Sequence, residues 1–406
     1  MIRSLFFFAF VCLAYSPSAQ VTINPSPWNV ESLYPGGRID DGAGFRIGES
    51  LYFGTGIDQS YTLRKDWWKY DLKARKWHSI SNIPSSGRQY ALAFATHRLG
   101  YLFGGVLAGN TFTNECFRYD PLTDQWQTLP NPPWSPRAAM ACFRVGERVY
   151  VLGGRNDSIH FTDAWMFDLS TEEWVASDSL PFQEGRDEMV GFAHGNVGYV
   201  MLGRSLSEVH SDMWRYNTLS GEWKSVESFE GEAVSYAAAV RTKAGAVIAG
   251  GQDADGKLVS ASYYFDASTE SFEALPDLAM GEVRGMQLLS KGDSVYSFGG
   301  LTHNFTRIQE VQHLRLNERH TFEDIPEIIL VPNPARDRVA IFWAWGDLHS
   351  VQYNLYDITG RLVKHGSSSV PSEYLELSLT DVPMGVYLLS LSDGSISRKK
   401  VLVVSK

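Results

Sequence analysis

The 406-residue chain carries a formal net charge of −10 and lacks any long Lys/Arg run, which sets aside nucleic acid and anionic membrane surfaces as partners. With 44% hydrophobic, 20% charged and 13% aromatic residues and 36 glycines, it reads as an ordered all-β protein with Gly-rich turns. Its length allows more than one domain.

The first residues, MIRSLFFFAFVCLAYSPSAQ, read as a secretory signal over residues 1–19. Arg3 supplies the positive end, residues 5–15 the apolar run and residues 16–19 the small-residue cleavage region. That run is too short for a permanent anchor, so no transmembrane span is expected in the mature chain. Val11 ahead of Cys12 argues against lipidation. The remaining Cys116 and Cys142 are expected to be buried free thiols, since two cysteines make no disulfide framework.

An aromatic-x-aromatic-acid element then recurs: Trp68 to Asp71, Phe117 to Asp120, Trp165 to Asp168, Trp214 to Asn217 and Tyr263 to Asp266. The steps from Tyr70 to Tyr119, Phe167, Tyr216 and Phe265 are 49, 48, 49 and 49 positions. Six residues after each acid or Asn stands a lone aromatic: Trp77, Trp126, Trp174, Trp223 and Phe272. An apolar strand ending in glycine precedes every element, and a sixth such strand, VYSFGG, ends at Gly300. In that degraded sixth unit Val311 and His313 are expected at the aromatic positions, with Phe322 trailing. A period near 50 with four short strands per unit predicts radially repeated blades, whose large rings fill the wedges between neighbours.

The Gly-Gly, Tyr-Asp and Trp series resembles the kelch repeat, and the resemblance implies a six-bladed kelch-type β-propeller over residues 20–325. It is specific for fold and unspecific for function, because kelch propellers include enzymes, glycan binders and protein-interaction modules. Trp28, ten residues before Arg38, echoes Trp77 before Arg88 and Trp126 before Arg137. The expectation is that the Trp28 strand completes the sixth blade; closure by the Phe322 segment is the rival.

From Ile329 the pattern changes to six or seven short strands, which predict a small immunoglobulin-like β-sandwich over residues 326–406. The order Pro332-Asn333-Pro334, Tyr356-Asp357 with Gly360-Arg361, and Gly385-Val386-Tyr387, followed by a final Lys-Val strand, resembles the type A C-terminal sorting domain of the type IX secretion system. That resemblance implies the secretion machinery as a partner. It also implies a protein secreted from, or attached to the outer-membrane surface of, a gram-negative bacterium.

No zinc spacing, nucleophile elbow or Walker loop is present, and residues 253–256 (DADG) read as a turn rather than a calcium loop. Neither a metal nor a cofactor is expected. A copper oxidase resembling galactose oxidase is disfavoured, because neither cysteine belongs to a Tyr/His cluster. Blade geometry brings the start of each first strand and the end of each second strand to one channel mouth. Arg38, Arg88, Arg137, Arg186 and Arg284 recur just before first strands, with Ser235 in the fifth unit, and Arg155 and Arg204 follow the Gly pairs. This ring suits an anionic ligand; alternatively, its arginines hydrogen-bond inter-blade carbonyls. Asp40 and Asp41 in unit one, and Asp187 and Glu188 in unit four, are candidate acid/base groups or salt-bridge partners. They would neutralise units one and four, leaving Arg88 and Arg137, near Arg155, as the least compensated sector. Two functions follow. The preferred one is a non-catalytic module binding an anionic glycan or a cell-surface protein at the cationic mouth. The alternative resembles the sialic-acid mutarotases (N-acetylneuraminate epimerase type), which act on an anionic sugar.

Overall fold

A computed structural model describes residues 26–226, 229, 231–316, 328–343, 351–368, 374–392 and 397–405. The predicted signal over residues 1–19, with Cys12, and the rival closing segment at Phe322 lie outside these residues.

Within residues 26–316 the strands form six four-stranded antiparallel sheets. Blade 3 shows the plan: Ala141–Val145 lies innermost, followed outward by Arg148–Leu152, Ala164–Asp168 and Glu173–Ala176. Blades 1, 2, 4 and 5 begin at Ala43–Ile47, Leu92–Ala95, Val190–His194 and Ala238–Arg241. Blade 6 takes three strands from the end of the repeat region, Gln287–Lys291, Ser294–Phe298 and Glu310–Arg315, and its outermost strand, Asn29–Leu33, from the start. Asn29 lies opposite His313 and Val30 opposite Gln312. The ring is therefore latched by the N-terminal strand, and the innermost strands of blades 6 and 1 abut.

The repeat residues have local reasons. Each element's acid accepts from the turn that follows: Asp71 from Lys73 N at 2.9 Å, Asp120 from Leu122 N at 2.9 Å and Asp168 from Ser170 N at 2.9 Å. Asn217 serves equally, because only the side-chain oxygen is used (2.9 Å from Leu219 N). The trailing aromatic packs on the element's second ring, with centroids 5.0 Å apart for Tyr70–Trp77, 4.8 Å for Phe167–Trp174 and 4.9 Å for Tyr216–Trp223. Other rings cross between blades: Phe103–Phe167 at 5.4 Å, Tyr150–Tyr216 at 5.4 Å and Phe53–Phe298 at 5.3 Å.

Register corrects the reading of the sixth unit. Ser297 pairs with Gln312 and Val295 with Leu314, as Leu102 pairs with Phe117 and Gly100 with Tyr119. Gln312 and Leu314 therefore occupy the aromatic positions, one residue beyond Val311 and His313. Extending the Asn29–His313 register by one step sets Trp28 against Leu314, as Trp126 sits against Tyr119. Trp28 is 3% exposed, in a core with Leu275, Val283 and Leu314.

Beyond residue 328, two antiparallel sheets share one core. Ile328–Val331, Arg338–Trp343 and Tyr374–Ser378 form one sheet; the other runs Leu362–Ser368, Val351–Asp357, Gly385–Ser392, Ser397–Val404. Val339, Ile341 and Leu377 from the first meet Leu355, Leu389 and Leu402 from the second. The residues that carried the sorting resemblance act here as turn and edge fasteners. Asn333 accepts from Val403 N at 2.8 Å and donates to Val401 O at 3.0 Å, holding the Pro332–Pro334 turn on the last strand. Asp357 accepts from Thr359 N at 2.9 Å and Arg361 N at 3.1 Å across a turn whose Gly360 has φ +84°. Tyr387 donates to Pro383 O at 2.7 Å.

Candidate functional site at the channel mouth

Backbone hydrogen bonds fix which residues are equivalent around the ring. The glycine ending each second strand donates to the next blade: Gly56 to Arg88 O, Gly105 to Arg137 O, Gly154 to Arg186 O, Gly203 to Val234 O, Gly251 to Val283 O and Gly300 to Ile39 O. Arg88, Arg137 and Arg186 thus share one place with Val234, Val283 and Ile39. Arg38 falls one residue before this place. Ser235 and Arg284 fall one residue after it, level with Asp40, Gln89, Ala138 and Asp187. The five arginines are not one ring.

Three of them are structural clamps. Arg88 is fully buried, paired with Glu115 at 2.6 Å and donating to Gly104 O at 3.0 Å. Arg137 forms a bidentate pair with Asp163, donates to Gly153 O at 3.1 Å and lies 3.6 Å over the Phe161 ring. Arg186 repeats the arrangement with Asp212 and Phe182. The expectation that Arg88 and Arg137 form the least compensated sector is corrected. A buried guanidinium needs its charge matched, and each unit supplies the carboxylate from the start of its own third strand. Arg38 is exposed and donates to Arg307 O at 3.0 Å.

The channel is lined by the two places that follow. Asp41, Tyr90, Ala139, Glu188, Tyr236 and Gly285 all have left-handed φ values, from +52° to +65°. They are linked blade to blade: Tyr90 N to Asp41 O, Ala139 N to Tyr90 O, Glu188 N to Ala139 O, Gly285 N to Tyr236 O and Asp41 N to Gly285 O, at 2.9–3.1 Å. Five non-glycine residues in this region hold strain of the kind that concentrates at functional sites. At Gly285 a Cβ would fall 2.3 Å from Asp41 Oδ1, so the carboxyl group uses the space that glycine leaves.

Asp40 and Asp187 stand at equivalent places three blades apart, as do Asp41 and Glu188, confirming the opposition of units one and four. Asp187 is completely buried and ion-paired with Arg155 at 2.8 Å and Arg204 at 3.2 Å, with His160 Nδ1 at 3.5 Å. Asp40 pairs with buried Arg307, whose guanidinium lies 4.7 Å from the Tyr61 ring. Arg204 and Arg284 both lie over one ring, Tyr236, at 4.9 and 4.4 Å. Tyr90 lies 6.2 Å from Tyr236, centroid to centroid.

The carboxyls and the arginines of this cluster all shift upward, for different reasons. Burial, then the neighbouring Asp40, pushes Asp41 up to about 8. Burial, then Asp187 and Asp41, raises Glu188 well above the usual carboxyl range. Burial also raises Asp40, against the pull of Arg307. Burial opposes the charge on Arg204 and Arg284, yet Tyr236 with Asp187 around Arg204, and Asp41 with Tyr90 around Arg284, hold both pKa values above the ordinary arginine value. With Asp41 protonated at neutral pH, four guanidiniums (Arg155, Arg204, Arg284 and Arg307) outnumber the three remaining carboxyl groups (Asp40, Asp187 and Glu188), two of which are ion-paired. The mouth is cationic through Arg155, Arg204 and Arg284, which the sequence named, and Arg307, which it did not; Arg88, Arg137 and Arg186 take no part.

Sequence reading missed Tyr90, Tyr236, Arg307 and His160. Tyr90 and Tyr236 were detectable in principle, as aromatics in a column where unit three has Ala139. Arg307 and His160 come from variable return segments, paired by bridges to Leu301 and Arg155, and carry no repeat signature. Cys116 is buried and Cys142 half-buried, both as free thiols, and burial raises the Cys142 thiol to about 12.

Residues 43–236 match the family model described as the KLHDC2/KLHL20/DRC7 Kelch-repeats domain, and residues 330–405 match the secretion system C-terminal sorting domain. Among solved structures, one described as "Structure of YjhT" aligns with a TM-score of 0.60 at 17% identity, covering 70% of this chain and 99% of that chain. No curated protein sequence matches the chain. Among the described residues, no helix is long and apolar enough to cross a membrane.

Proposed function

We propose that this chain, a secreted or cell-surface kelch-repeat protein with a type IX secretion sorting domain, binds a small anionic glycan at the channel mouth without transforming it. The observation that carries this reading is the gathering of Arg204 and Arg284 at the one ring of Tyr236. Guanidinium forks suit a carboxylate or sulfate, and Tyr90 beside them would offer a face for the apolar side of a sugar ring. Asp41, protonated at neutral pH, would donate to a sugar hydroxyl, and Glu188, its carboxyl also shifted upward, stands opposite it. The sorting domain would deliver the propeller outside the cell, with attachment to the outer-membrane surface as the finer expectation.

Calorimetric titration with sialic acids, uronates and sulfated sugars, against their uncharged parents, tests the reading. Anionic sugars should bind saturably and more weakly as salt rises, and Arg204→Ala should lower affinity about ten-fold or more. Equal binding of the uncharged parents, or indifference to Arg204→Ala, would remove it.

The raised carboxyls support a second reading, a mutarotase-like activity. A carboxylic acid that keeps its proton near neutrality can act as general acid at a sugar ring oxygen. Anomer exchange followed by NMR should then be accelerated by the wild-type protein and slowed by Glu188→Gln with binding retained. Absence of acceleration leaves binding alone.

A further inference from the structure

The clamp of blades 2, 3 and 4 is missing from blade 5, and both of its halves are lost together. Val234 stands where Arg88, Arg137 and Arg186 stand in their blades. Ala261, whose carbonyl accepts from Gly250 N as Glu115 O does from Gly104 N, stands where the paired carboxylates stand. The aromatic surround remains. Phe229 packs edge-on to Tyr263 at 4.8 Å, as Phe182 does to Trp214 at 6.0 Å beside Arg186. The result is a cavity of about 210 Å³ lined by Val234, Ala261, Phe229, Tyr263 and Gly250, with Glu232, Glu282 and Lys257 also on its wall.

We propose that this cavity binds a guanidinium group supplied from outside, the arginine side chain of a partner polypeptide. In blades 2 and 3 the molecule's own arginine fills the corresponding space and donates to Gly104 O and Gly153 O; in blade 5 the corresponding residue, Gly250, lines the cavity. The flat cation would lie against Phe229 and Tyr263 as Arg137 lies on Phe161. Glu232, exposed on the rim, replaces the lost internal carboxylate, beside Glu282, which also meets His303 Nε2 at 2.9 Å. None of the channel-mouth residues lines this cavity, and the proposal does not rest on the function proposed there.

The test titrates the full-length chain with methylguanidinium and with its uncharged isostere methylurea, then with argininamide and an arginine-containing peptide against its citrulline counterpart. Methylguanidinium should bind saturably and methylurea should not. Tighter binding of the arginine peptide than of argininamide identifies a polypeptide source, whereas equal affinities overturn the polypeptide assignment. Refilling the cavity with Val234→Arg and Ala261→Asp together should abolish binding while thermal unfolding stays cooperative. Glu232→Gln, an exposed change that spares the fold, should weaken binding about ten-fold, and Arg204→Ala should leave it unchanged. Methylurea binding as well as methylguanidinium, no saturable binding of either, or full binding after Glu232→Gln would overturn the proposal.

Discussion

Asp41 and Glu188 occupy the same step of the repeat three blades apart, and the charge of Asp41 acts across the channel to raise the pKa of Glu188. Burial is the leading cause of the upward shift in both acids, and the arginines around them are the dominant charge of the mouth.

A pH dependence of stability follows. In the unfolded chain Asp41 releases its proton near ~3.9, whereas in the folded protein it keeps it up to about 8. Between those values the folded state binds the extra proton, so wild-type stability falls as pH rises through the window and levels off above it. Asp41→Asn should therefore stabilise the protein at pH 9 by at least about 1 kcal/mol, raising Tm by roughly 2–4 °C. The gain should shrink towards pH 4. Thermal melts at both pH values decide it; an equal gain at each would rule out titration as the cause.

Arg137→Ala and Arg204→Ala should separate clamp from mouth. The first removes a buried bidentate pair and a carbonyl contact. Asp163 keeps access to water, so the loss should sit near the low end for a broken buried pair, about 2–3 kcal/mol in urea unfolding. The second acts at a partly exposed guanidinium and should change stability by less than about 1 kcal/mol. A reversed order would contradict the division made here.

Closure by the N-terminal strand predicts a large effect from one ring. Trp28→Ala should cost about 3–5 kcal/mol, because it empties a buried wedge between blades 5 and 6. Deleting residues 26–34 should in addition expose the edge of Glu310–Arg315 and promote aggregation, measurable by light scattering. A deletion variant that melts like the parent would show that the latch is dispensable.

A chain stopped at residue 327 keeps all six blades and loses both sheets of the sorting domain. It should unfold with the propeller's normal midpoint yet be retained inside the cell, as fractionation and immunoblotting would reveal. Normal extracellular amounts would refute the sorting role of the tail.

Much of the fold was legible because blade packing writes itself into the chain at fixed intervals. The turn-capping acids, the stacked second aromatic and the Gly-Gly turn each recur for a local reason, so repeat count and blade order could be read from spacing alone; Trp28 was one of two candidate closures, and strand pairing made it the latch. The degraded sixth unit was misread by one residue, since Gln312 and Leu314 carry none of the aromatic signature and only strand register locates them. The channel mouth was legible in part. Asp40, Asp41, Asp187 and Glu188 stood out as departures from the repeat, and their opposition followed from six-fold geometry. Which arginines face the channel was not legible. A shift of one residue moves a side chain from the buried clamp of Arg137 to the channel-side place of Arg284, and that shift is set by hydrogen bonds between blades some 50 residues apart in sequence. The sequence by itself determined a kelch-type ring with a sorting domain; tertiary structure decided which charges are spent on each other and which remain for a ligand. Charge compensation depends on distance in space, and only the closed ring brings Arg204, Arg284 and Tyr236 together.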